Sequence, residues 1–134
     1  MRPKIDLITI VTNKLQEMHL FYRDVLGFKV KLELDSYIEF ESPGVRFALT
    51  TNKVMKDATN HESYSREKQG QSVELAFPVT SPSDVDKTYK DLIKKGAFPV
   101  KSAKDMPWGQ RAAFIADPDG NIHEIFAELP KSAS

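Results

Sequence analysis

Cysteine is absent from the 134 residues. That excludes a disulfide framework, a thiolate nucleophile and a cysteine-type zinc site. A charge of one sign is lacking too. Lys and Arg number 19 and so do Asp and Glu, and they are scattered rather than blocked, so no field draws the chain to nucleic acid or to an anionic membrane. No apolar run approaches the roughly 20 residues needed to span a bilayer. The N-terminus enters an apolar strand without the charged, apolar, small-residue order of a secretory signal, and a cytoplasmic protein with no membrane and no nucleic-acid partner is expected. Glycine is sparse, at 6 residues. There is no glycine-rich phosphate loop, no Ser-His-Asp context and no nucleophile elbow, so covalent catalysis lacks a candidate.

What is present is one domain's worth of chain, able to bury about two thirds of its unfolded surface unaided. Ile5 to Thr12 is rich in β-branched residues and reads as a largely buried strand. Asn13 follows as an N-cap with Gln16 as its capping-box partner, and Leu15, Met18, Tyr22, Val25 and Leu26 recur at helical spacing until Gly27. Strands are expected over Phe28 to Leu34, Tyr37 to Glu41 and Val45 to Thr51, separated by turn sequences. A polar connection to Gln71, with room for a short helix, leads to an alternating strand over Ser72 to Val79. Ser81-Pro82 opens a helix with Val85, Tyr89, Leu92 and Ile93 as its apolar stripe, and Gly96 ends it. Strands over Ala97 to Lys101, Arg111 to Ala116 and Asn121 to Leu129 complete a second βαβββ unit. The expectation is a single domain over 1–134: a first module at 1–52, a linker at 53–71, a second module at 72–129 and a tail at 130–134.

The last strand-turn-strand says most about function. Asp117-Pro118-Asp119-Gly120 is a strong turn sequence. Symmetric pairing about it sets Ile115 opposite Ile122, Ala113 opposite Glu124 and Arg111 opposite Phe126, on a face that reads as a pocket wall. Ala112, Phe114, His123 and Ile125 take the other, packing face.

Phe21-Tyr22-Arg23-Asp24-Val25-Leu26-Gly27-Phe28 in the first module and Asp117-Pro-Asp-Gly-Asn-Ile-His-Glu124 in the second resemble the vicinal oxygen chelate superfamily. That superfamily includes glyoxalase I, bleomycin-resistance proteins, fosfomycin-resistance transferases and extradiol dioxygenases, and the likeness runs from Ile5 to Leu129. It implies an α+β fold of two βαβββ modules forming curved mixed sheets around a cavity, and commonly a homodimer. It also implies four metal-ligand positions. Leu7 and Ala48 occupy two of them and donate nothing. Glu74 and Glu124 occupy the others.

Two carboxylates leave most of a metal's coordination shell to water or substrate. The expected cofactor is therefore none, with a divalent ion such as magnesium, manganese, zinc or nickel on Glu74 and Glu124 as the alternative. Arg111 is a candidate either to pair with Glu124 or to clamp an anionic ligand group, or else is an ordinary edge-strand arginine. Trp108, the sole tryptophan, either stacks on a ligand or plugs the end of the core. Tyr37 and Phe40 add aromatic surface. His123 is expected to pack in the interior, and His19 and His61 to lie on the surface. Two functions remain open: a binding protein for a small aromatic or amphipathic molecule, and a glyoxalase-type lyase, isomerase or dioxygenase acting through Glu74 and Glu124.

Overall fold

The computed structural model describes residues 1–71 and 73–131. The chain divides into two compact units, one over Met1–Gln69 and one from Gly70 onward. The first unit carries β1 (Leu7–Thr12), α1 (Leu15–Leu20) continued by a π-helical turn (Phe21–Val25), β2 (Val30–Leu34), β3 (Tyr37–Phe40), β4 (Arg46–Thr51), α2 (Asn52–Thr59) and a 3-10 turn (Glu62–Ser65). The second carries β5 (Ala76–Pro78), α3 (Pro82–Lys95), β6 (Phe98–Asp105), β7 (Gln110–Ala116) and β8 (Ile122–Glu128). Both build a mixed four-stranded sheet, ordered β1-β4-β3-β2 and β5-β8-β7-β6. The fold is α+β, and the βαβββ order read from the sequence is borne out in each half.

Helix α3 forms for the reasons its sequence advertises. The Ser81 side chain accepts from the Asp84 amide, Pro82 sits in the first turn, and Gly96 takes a positive φ of 115° at the C-terminus. Its stripe buries Val85 and Leu92 against β6, β7 and β8. Helix α1 starts differently from expectation. Asn13 does not cap it: Lys14 holds the N-cap position with no side-chain bond, and the Thr12 hydroxyl takes the Lys14 amide instead, at 2.9 Å. The β-branched end of β1 thus turns the chain on its own.

The first unit's core is aromatic. Tyr22 is fully buried among Phe21, Phe28, Phe40 and Phe47, with ring centroids 5.1 to 6.2 Å away. Phe40, read as ligand surface, belongs to this cluster, because it alternates with the Glu39 face and pairs with Phe47. His19, expected at the surface, is buried beside the Phe40 ring, at 6.2 Å, and its Nδ1 lies 3.9 Å from Glu33.

Strand β5 is shorter than the alternation suggests. Ser72 lies outside the described residues, and ahead of β5 side chains supplement the backbone bond from the Glu124 amide to the Leu75 carbonyl. Gln71 donates to the Ile122 carbonyl and accepts from its amide, both at 3.2 Å, and His123 Nδ1 accepts from the Leu75 amide at 3.1 Å.

Because Phe40 is 1% exposed and touches four other aromatic rings, Phe40→Ala is expected to remove about 3–5 kcal/mol of stability. Chemical denaturation with an unchanged slope and a lowered midpoint would register it.

Candidate functional site

The closing turn determines which side chains meet. Asp117 accepts from the amides of Asp119 and Asn121, each at 2.9 Å, and from the Asn121 side chain at 2.8 Å. The Asp117 amide donates to the Asn121 carbonyl at 3.0 Å, and Gly120 donates to the Asp117 carbonyl at 2.9 Å. Asp117 and Asn121 therefore close the ladder around a three-residue loop, with Gly120 at a φ of 83° as its left-handed last member.

The odd loop shifts the register by one from symmetric pairing. Glu124 lies opposite Phe114, His123 opposite Ile115, Phe126 opposite Ala112 and Arg111 opposite Ala127. A one-residue slip exchanges faces. Arg111 consequently lies on the face away from Glu124. Its Nε and Nη2 bond both oxygens of Asp86 on α3, at 2.8 and 2.9 Å, and its Nη1 reaches Asp105 at 2.9 Å. The expected Arg111–Glu124 pair does not form, and the guanidinium ties β7 to α3 and β6. Phe114, assigned to the packing face, joins Glu124 instead.

The open face of the second sheet can be read from its register. Ala76 flanks Glu124 on one side and Phe114 on the other, and Pro78, Phe126 and Ala112 form the next row. Lys101 and Lys104 follow on β6 beside Phe114 and Ala112. Glu124 is only 8% exposed, and the carboxyl of the exposed Glu74 acts on it. Burial is the main cause that raises the Glu124 carboxyl above its ordinary value, and Glu74 pushes the same way. Together they form a carboxyl pair set among apolar neighbours.

Trp108 stands at the end of β7. It is 59% exposed, so it does not plug the core. Its indole N–H donates to Gln110 at 3.0 Å, and Gln110 donates to Glu128 at 2.7 Å. Gln110 and Glu128 pair in register on the Glu124 face. The indole is thus held at its edge while its ring stays accessible.

In the first unit, Leu7, Ala48 and Thr50 share a face with Tyr37 and Glu39. Glu39, which sequence reasoning missed, is directly across from Ala48 and 3% exposed. It accepts the Tyr37 hydroxyl at 2.7 Å and Arg46 at 2.8 and 3.1 Å, and Lys31 lies 3.7 Å away. The bonds from Arg46 and then Tyr37 hold its carboxyl at about 2, against an ordinary 4.5. Tyr37, a proposed ligand contact, is thereby committed to Glu39. A pocket of about 380 Å³ opens beside this group, lined by Lys31, Glu39, Glu41, Ser42 and Arg46.

Over residues 4–125 the chain matches the family described as the Glyoxalase/Bleomycin resistance protein/Dioxygenase superfamily. It belongs to this superfamily. The uncharacterized protein YraH of Bacillus subtilis (strain 168) is 33% identical over 130 residues, covering 94% of this chain and 99% of its own. A crystal structure of a glyoxalase/bleomycin resistance protein/dioxygenase from Nocardioides superposes with a TM-score of 0.86 at 28% identity, over 100% of this chain and 91% of that one. A lactoylglutathione lyase from Agrobacterium tumefaciens shares the fold, with a TM-score of 0.68 at 20% identity over 92% of each chain.

The donor set does not fit the four-ligand metal centre that the superfamily resemblance implies. Leu7 and Ala48 have no donor atoms. The carboxylate across from Ala48 is taken up by Arg46 and Tyr37, and among the described residues no three His, Cys, Asp or Glu side chains converge to hold an ion. Also among the described residues, no helix is long and apolar enough to cross a membrane.

Glu39 has a depressed carboxyl, so its contribution to stability is complete above 4.5 and disappears as pH falls toward about 2. Acid titration of Glu39→Gln, followed by circular dichroism, is expected to show a flatter loss of stability than the parent across that window.

Proposed function

We propose that the protein binds a small organic molecule on the open face of its second sheet, without the usual four-ligand metal centre. The observation that carries this reading is the buried Glu124 carboxyl, set between Ala76 and Phe114 with Phe126 in the next row. A buried carboxyl offers acceptors to a ligand, and a donor as well when it holds a proton. Such a group orients a hydroxyl or an amine, while Phe114 and Phe126 supply apolar contact. The ring of Trp108 completes the preference for aromatic or amphipathic ligands by stacking.

A second reading is favoured by one feature. A buried carboxyl raised above its ordinary value is suited to exchanging a proton with substrate. On that reading Glu124 is the general acid or base of a lyase or isomerase of the glyoxalase type. Its metal-dependent form, a lyase, isomerase or dioxygenase with an ion on Glu74 and Glu124, requires bound metal.

Calorimetry with a panel of aromatic amines, alcohols and carboxylates separates these readings. Amines or alcohols should bind, and Glu124→Gln should weaken them by about tenfold, the scale of one hydrogen bond to a charged group. Tight stoichiometric retention of magnesium, manganese, zinc or nickel by the washed protein would sink the metal-free reading, and turnover of a panel compound that Glu124→Gln abolishes would establish the enzyme.

A further inference from the structure

Glu74 lies outside any strand, yet its carboxyl meets that of Glu124. The means by which the chain holds it there are visible on the opposite face of β8. His123 is fully buried, with the Phe77 ring edge-on at 6.1 Å. Its Nδ1 accepts the Leu75 amide at 3.1 Å, and its Nε2 lies 3.6 Å from the Asp117 carboxylate. Asp117 is itself pinned by three bonds within the closing turn. The Leu75 carbonyl accepts the Glu124 amide at 2.9 Å. The residue after Glu74 is therefore clamped twice, by the His123 side chain and by the Glu124 main chain.

We infer that His123, oriented by Asp117, is a positioning residue that fixes the backbone at Leu75 and so holds Glu74 against Glu124. The inference rests on the carboxyl pair being the ligand site. Its chemistry is specific. An imidazole accepts at Nδ1 only when that nitrogen is bare, so the ring proton must sit on Nε2, facing the Asp117 carboxylate. The arrangement passes from turn to imidazole to backbone to carboxyl, with the histidine working on one face of β8 and its neighbour Glu124 on the other. A histidine that merely filled space would be replaceable by any ring of its size.

Two variants of the full chain test this. His123→Phe keeps a ring and loses the acceptor, whereas His123→Asn keeps an acceptor near the place of Nδ1. By nuclear magnetic resonance, Leu75 amide exchange should quicken about fivefold to tenfold in His123→Phe, the size of one lost hydrogen bond. Nuclear Overhauser contacts between the Glu74 and Glu124 side chains, expected in the parent, should be lost in that variant. His123→Asn should preserve both behaviours. Unchanged exchange and unchanged Glu74–Glu124 side-chain contacts in folded His123→Phe overturn the inference. So does a parent imidazole whose ¹⁵N shifts place the proton on Nδ1, a measurement that needs no variant. All are read without ligand, so failure of the binding reading leaves them unmoved.

Discussion

The second sheet depends on the way Asp117 closes its last turn. One carboxylate takes two amides and a side-chain amide within five residues, and this fixes a loop of three rather than two or four. Loop length sets register, and register sets which residue of β7 faces Glu124. The same carboxylate lies beside the imidazole of His123. Strand pairing, the composition of the open face and the placement of Glu74 all trace to this one buried acid, which is 1% exposed.

Much of the fold was legible because it is written in local signals. Ser81-Pro82 and Gly96 bracket α3, alternation marks β7 and β8, and two βαβββ units follow from the order of the periods. The faces of the hairpin were harder to read. Asp-Pro-Asp-Gly looks like a symmetric four-residue turn, and only the pairing of Asp117 with Asn121 reveals an odd loop in which Gly120 is the bulge. Asn121 right after a glycine was the available signal. Glu39 was illegible for another reason: Tyr37 shares its face by strand alternation, but Arg46 lies seven residues away in sequence, and only antiparallel pairing of β3 with β4 brings it near. His19 was misplaced because its position in a helix carries no mark of which side faces the core when the helix widens into a π turn a residue later.

Arg111, the arginine considered for ligand recognition, is spent on protein carboxylates, and so is Arg46. Arg111 grips Asp86 with two parallel bonds and Arg46 does the same with Glu39. Forked guanidinium contacts of this kind fix geometry as well as charge. They secure α3 to β7 in one unit and join adjacent strands in the other. The cations left beside the Glu124 row are Lys101 and Lys104, exposed on the edge strand. An anionic ligand group would therefore meet flexible, hydrated ammonium groups, whereas a hydroxyl or amine would meet a fixed carboxyl pair.

That contrast bears on the metal question. A carboxylate as buried as Glu124, at 8% exposed, is stabilised by a neutralising partner. A divalent ion would serve, but it asks for further donors, and the superfamily positions that would furnish them hold Leu7 and Ala48. A proton asks for nothing more than the two carboxyls themselves. Burial shifts the balance further, since each step that removes water raises the affinity of Glu124 for a proton. With leucine and alanine at the other two positions, the proposed site centres on a buried carboxyl and its hydrogen bonds rather than on a cation. Such a site recognises ligands by donor geometry and apolar shape rather than by coordination.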